Sequence, residues 1–171
     1  MHYEGSLLRA VNLGDSGFIV CRRKSQNANL ARNMRQCWEV VYESKHQSHF
    51  FNCPYQLGHL NGDSPEISDQ IEYSVQAEDV IILGTDGLFD NLYPSQIAII
   101  LDHLGPNFLY EPQLVEEAAN NIAHEAHQTS KCKQGSTPFA IAARKAGYKY
   151  DGGKMDDITV IISMVAKSVL P

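Results

Sequence analysis

A chain of 171 residues, 43% apolar and 20% charged, is long enough to bury one core and too apolar to stay disordered. Its net charge of −6, from 14 basic and 20 acidic side chains, argues against a nucleic-acid partner, whose phosphates need clustered Lys and Arg. No apolar run approaches the ~20 residues of a membrane span, and four scattered cysteines (Cys21, Cys37, Cys53, Cys132) form no C-x-x-C pair, which reads as reduced, intracellular thiols.

Residues 1–171 read as a single domain. Leu7, Leu8, Ala10, Val11 and Leu13 suggest a first strand, Gly14-Asp15-Ser16-Gly17 a turn, and residues 18–21 a second strand that completes a hairpin. Residues 22–36 are polar and unpatterned, a surface loop carrying the densest basic run (Arg22, Arg23, Lys24). Strand chemistry returns over residues 37–42, followed by a Gly-, Pro-, Asn- and Asp-rich stretch through Pro65. Residues 71–75 alternate like a half-buried strand. The continuous apolar run Val80-Ile81-Ile82-Leu83 then suits a strand covered on both faces and stops at Gly84-Thr85-Asp86-Gly87.

Helices follow. Ile97, Ile100, Leu101 and Leu104 fall at helical spacing before Gly105-Pro106, and Leu114, Ala118, Ile122 and Ala126 form a stripe behind Pro112. Ser136-Thr137-Pro138 caps a third helix, which stops at Gly147, and the β-branched residues 158–162 close the chain as a strand. Strands, then helices, then a strand predict an α+β sandwich with segregated helices.

Three acidic features share one placement: Asp15 in the first turn, Asp86 with Asp90 directly after residues 80–83, and Asp156-Asp157 directly before the final strand. If that strand runs antiparallel to residues 80–83, Asp86 and Asp156 share a rim, and Asp15 joins them if its turn points the same way. A helical turn starting at Asp86 would put Asp90 on the same face, and Gly87 would let the backbone approach a ligand. Each feature alone is ordinary turn chemistry. Together they predict an oxygen-only set for Mg²⁺ or Mn²⁺, because gathered carboxylates repel one another without a cation between them. Two such ions about 4 Å apart activate water for attack on a phosphoryl group.

These residues resemble the motifs of the metal-dependent protein phosphatase (PPM, or type 2C) family. Gly14-Asp15-Ser16 is similar to its G-D-S segment, Thr85-Asp86-Gly87-Leu88-Phe89-Asp90 to its [ST]-D-G-[LI]-[WF]-D segment, and Asp156-Asp157-Ile158-Thr159-Val160 to its last strand. Residues 49–57, Asp90-Asn91, residues 136–140 and Gly152-Gly153-Lys154 further resemble the eukaryotic branch with mitochondrial, coenzyme-Q-linked phosphatases. The resemblance implies an α-β-β-α sandwich, a phosphoprotein serine/threonine substrate, a mitochondrial or cytoplasmic setting, and Mn²⁺ or Mg²⁺ as cofactor. It implies Asp86 and Asp156 as ligands of a catalytic metal pair, Asp15 and Asp90 with Asp86 as ligands of a looser third ion, and Gly87, Asp157 and Thr159 in support. The family's D-G-x-G-G segment has no counterpart, since the D-G pairs are Asp86-Gly87 and Asp151-Gly152, so the sandwich is expected to be incomplete at its N-terminus and the chain to be the C-terminal portion of the domain.

Two other readings stand beside this one: a non-catalytic truncated relative that acts as a binding fragment, and an enzyme with an aspartyl-phosphate intermediate. The latter needs a second Asp two residues after Asp86, where Leu88 stands. His124 and His127, three residues apart, lack the spacing of a zinc-protease motif. His49, which opens the resembling segment 49–57, reads as structural.

Overall fold

The computed structural model describes residues 6–24, 37–58, 60–105 and 108–166. Strand β2 (Gly17–Arg23) explains the layering: Phe18 and Val20 point to one side, Ile19 and Cys21 to the other, and all four are buried. A strand with two apolar faces needs cover on both, which only a central position gives. It lies between β3 (Trp38–Glu43) and β7 (Val80–Gly84), and β8 (Val160–Met164) closes the four-stranded antiparallel sheet in the order β3-β2-β7-β8.

On one face of this sheet, Ile19, Cys21, Val80 and Ile82 pack against helices α2 (Pro94–His103) and α3 (Pro112–Ser130) through Ile97, Leu101, Ala118 and Ile122. Trp38 and Phe108 meet edge to face within this core, and the Asp102 carboxylate accepts from the Cys37 and Trp38 amides, fastening α2 to β3. On the other face, Phe18, Val20 and Ile81 meet an antiparallel ribbon of β1 (Ser6–Asn12) and β6 (Asp69–Val75) through Leu8, Ala10, Ile71, Tyr73 and Val75. The layers are therefore helices, four-stranded sheet and ribbon. Two short strands, β4 (Ser48–Phe50) and β5 (Cys53–Pro54), pair separately. Near the foot of the main sheet, the Asp79 carboxylate, 1% exposed, takes both prongs of Arg22 at 2.7 and 2.8 Å.

Four expectations need correction. β1 and β2 form no hairpin: β1 pairs with β6, and the chain crosses from one layer to the other between Asn12 and Gly17. The crossing is held by Gln47, whose amide donates to the Gly14 carbonyl and whose side chain accepts from the Gly14 amide. Gly14 itself has φ +104°, a left-handed conformation suited to glycine. Residues 80–83 are not covered throughout, because Leu83 at the open end of β7 is 40% exposed. The last strand begins at Val160 rather than Ile158, since residues 157–159 are tied to Thr85 ahead of the regular ladder. Arg22 and Arg23, expected to open a basic loop, instead end β2, paired with Glu39 and Trp38 of β3. Residues 25–36, the rest of that loop, and Pro106, part of a helix stop, lie outside the described residues.

Candidate metal centre

Gly17 opposes Gly84, and Gly84 opposes Val160, so the start of β2, the end of β7 and the start of β8 meet at one end of the sheet. Beyond Gly84, Thr85 joins two segments some seventy residues apart. Its amide donates to the Thr159 carbonyl (3.3 Å), its hydroxyl donates to the Asp157 carbonyl (2.8 Å), and the Thr159 amide donates to that hydroxyl oxygen (3.1 Å). The chain then turns into the short helix α1 (Asp86–Phe89), where the Asp90 amide donates to the Asp86 carbonyl at 2.7 Å. This turn places Asp86 and Asp90 on one face, as their spacing predicts. A Cβ on Gly87 would lie 2.5 Å from the Asp157 carbonyl oxygen. The close passage of the chain before β8 thus requires glycine here.

Asn91, 1% exposed, holds the other side. Its side-chain amide donates to the carbonyls of Gly87 (2.8 Å) and Lys154 (2.9 Å), and its oxygen accepts from the Lys154 amide (3.0 Å). Both backbone groups of Lys154 are therefore fixed beside α1. The preceding glycines are packed against the end of α3, where a Cβ on Gly152 or Gly153 would come within 2.1 Å of the carbonyl oxygens of Cys132 and Thr129. From this anchorage the Lys154 ammonium donates to Asp86 Oδ2 (2.8 Å) and Asp90 Oδ2 (2.8 Å), lies 3.0 Å from Asp156 Oδ2, and sits 5.2 Å from the centre of the Phe139 ring.

The structure thus brings together Asp86, Asp90 and Asp156, three of the four expected metal ligands. Asp15 lies two residues before Gly17, at the same end of the sheet, but is not among the partners of the ammonium. Three carboxylates against one ammonium leave an excess of negative charge. Burial disfavours the Lys154 charge, yet its hydrogen bonds to the three aspartates outweigh that and raise its pKa. Burial also raises Asp90, and there it outweighs the pull of Lys154. The more exposed Asp156 moves the other way, its pKa lowered by the hydrogen bond from Lys154. His49 braces a neighbouring loop, 3.0 Å from Asp63, a carboxylate that also accepts from the Gln56 amide.

Among the described residues no group of three or more His, Cys, Asp or Glu stands at ligating distances for a metal ion. The carboxylates are spaced for an ammonium, with oxygens 2.8–3.0 Å from one point. Their chemistry nonetheless fits Mg²⁺ or Mn²⁺, being oxygen-only, negatively charged and convergent.

Sequence reasoning missed the part played by Lys154 and Asn91. One signal was present: in extended chain, residues two apart point the same way, so a lysine two before Asp156 shares its side.

A helix-covered antiparallel sandwich with carboxylates gathered at the end of its main sheet is the architecture of the metal-dependent phosphatases. The solved photosystem II phosphatase PBCP superposes with a TM-score of 0.73 at 28% identity, covering 96% of this chain and 61% of that one. No family model matches the chain. Among curated proteins, it is 43% identical over 162 residues to a probable protein phosphatase 2C 55 of Arabidopsis thaliana, covering 94% of this chain and 31% of the relative. To the human protein phosphatase PTC7 homolog it is 38% identical over 168 residues, covering 94% of this chain and 50% of the relative. The chain belongs to the PPM, or protein phosphatase 2C, family, and it spans about a third to a half of the length of these curated relatives.

Proposed function

We propose that this chain supplies the carboxylate side of a metal-dependent protein serine/threonine phosphatase centre. The observation that carries the reading is the convergence of Asp86, Asp90 and Asp156 on a single point. Asp86 and Asp156 would hold a Mn²⁺ or Mg²⁺ pair, and Asp15 and Asp90 would assist with a further ion. When bound, such ions activate water and neutralise the phosphoryl oxygens of a phosphoprotein substrate. The chain's own part is placement: Thr85 sets the spacing between the Asp86 and Asp156 segments, and Asn91 holds α1 against the loop before β8. Relatives named as protein phosphatases support the serine/threonine phosphoprotein class. Four free cysteines support a reducing compartment, mitochondrial or cytoplasmic. Among the described residues no helix is long and apolar enough to cross a membrane.

The test is Mn²⁺-dependent hydrolysis of a phosphothreonine peptide by the full chain and by its Asp86→Asn variant. Loss of a metal ligand should lower turnover by about a hundredfold or more, with the fold retained by circular dichroism. Metal-stimulated turnover that survives the substitution would overturn the assignment. A second reading, a non-catalytic relative that binds a partner, is favoured by the ammonium already seated among the carboxylates. On that reading a folded sample shows no metal-stimulated hydrolysis.

A further inference from the structure

We propose that the Lys154 ammonium is a built-in placeholder for the metal, which holds the carboxylates together without a divalent ion and has to leave before one binds. The inference rests on the metal reading above and adds a competitor that sets the affinity. An ammonium has three protons. Here it has three carboxylate partners, Asp86 Oδ2 and Asp90 Oδ2 at 2.8 Å and Asp156 Oδ2 at 3.0 Å, so its bonding capacity is matched by this cluster.

An ammonium and a dication cannot share that position. Oxygens bind Mg²⁺ at about 2.1 Å, so the carboxylates have to close in by several tenths of an ångström around a smaller centre. A positive nitrogen at the same point blocks this sterically and repels the incoming ion.

The anchorage determines which part moves. Asn91 is buried and binds both the amide and the carbonyl of Lys154, while Gly152 and Gly153 are packed against the carbonyls of Cys132 and Thr129. The backbone therefore stays, and the exchange is confined to the four-carbon stem of the side chain. That side chain is 19% exposed, so part of it already meets solvent. The Phe139 ring beneath it, 5.2 Å away, favours the cation in its seated position. The outcome is a site whose carboxylates stay gathered when metal is scarce, in exchange for weaker metal binding.

Mn²⁺ binding to the full chain, followed by the electron paramagnetic resonance signal of free Mn²⁺, separates the possibilities without reference to turnover. Lys154→Met keeps the stem and removes the charge. It should bind Mn²⁺ about tenfold tighter or more, the scale on which one adjacent charge shifts an ionic equilibrium. Metal-free, it should melt below the wild type, a gap that closes as Mn²⁺ is added. Lys154→Arg, which keeps a cation, should retain weaker binding than Lys154→Met. In the unaltered chain, ¹³Cε-labelled lysine should show the Lys154 signal shifting and sharpening as diamagnetic Mg²⁺ is titrated in. Equal or weaker Mn²⁺ binding by Lys154→Met, or Mg²⁺ binding with no change at Lys154, overturns the placeholder and leaves the metal reading standing. Binding of Mn²⁺ by neither the wild type nor Lys154→Met overturns the metal reading, and the placeholder with it.

Discussion

The thiol of Cys21 lies on the helix-facing side of β2, where burial, aided by the Asp79 carboxylate, pushes its pKa up to about 12. An unfolded thiol ionises near ~8.5. Between roughly pH 9 and 12 the unfolded chain has therefore released a proton that the folded chain keeps, and stability falls as pH rises, by up to about 1.4 kcal/mol per pH unit from this group. Urea unfolding at pH 8, 9, 10 and 11 should show that decline in the wild type and a shallower one in Cys21→Ala, the difference isolating the thiol from other alkaline titrations. Parallel slopes would contradict the assignment. At residue scale, Asp86, Asp90 and Asp156 were legible in the sequence because apolar runs and turn residues mark where β7 ends and β8 begins. Lys154 was legible only as sharing a side with Asp156, since its anchorage depends on Asn91, 63 residues away, and no local pattern encodes that clamp.

Helix α4 (Pro138–Lys145) shows how one side chain can serve an element and its neighbour. The Thr137 hydroxyl oxygen accepts from the Ala140 amide (3.1 Å) and its proton goes to the Gly152 carbonyl (2.6 Å), so the helix cap also supports the glycine loop before Lys154. Thr137→Ala should cost about 1–2 kcal/mol, the range of a lost N-cap, whereas Thr137→Ser, with its hydroxyl, should lose far less. Thermal melts of the two variants check this, and equal losses would point to the methyl group instead. This cap was readable from Ser136-Thr137-Pro138 because capping is local chemistry. The placement of β1 was not readable in the same way. A strand, a Gly-Asp-Ser-Gly turn and a second strand look like a hairpin, and only the need to cover both faces of β2, together with the hold of Gln47 on Gly14, sends the two strands to different layers.

At the scale of the molecule, the order of strands and helices was enough to predict the α+β layering, because α3's apolar stripe and the alternation of β6 each need one buried face. The structure adds that the layers are unequal. The four-stranded sheet is covered by helices on one face and the ribbon on the other, whereas β1 and β6 are paired only with each other among the described residues, and Leu7 and Val11 are 47% and 73% exposed. Two strands alone are marginal in water, and regions with few buried contacts open before the whole. Backbone amides of β1 and β6 should therefore take up deuterium together, through a shared partial opening of lower free energy than that exposing β2 and β7. Native-state exchange read by mass spectrometry tests this, and uptake by the ribbon only on global unfolding would contradict it. In that opened form the ribbon lifts from Phe18, Val20 and Ile81, uncovering a greasy surface in a chain whose helical half is still intact. Self-association would then begin from this face well below the melting temperature.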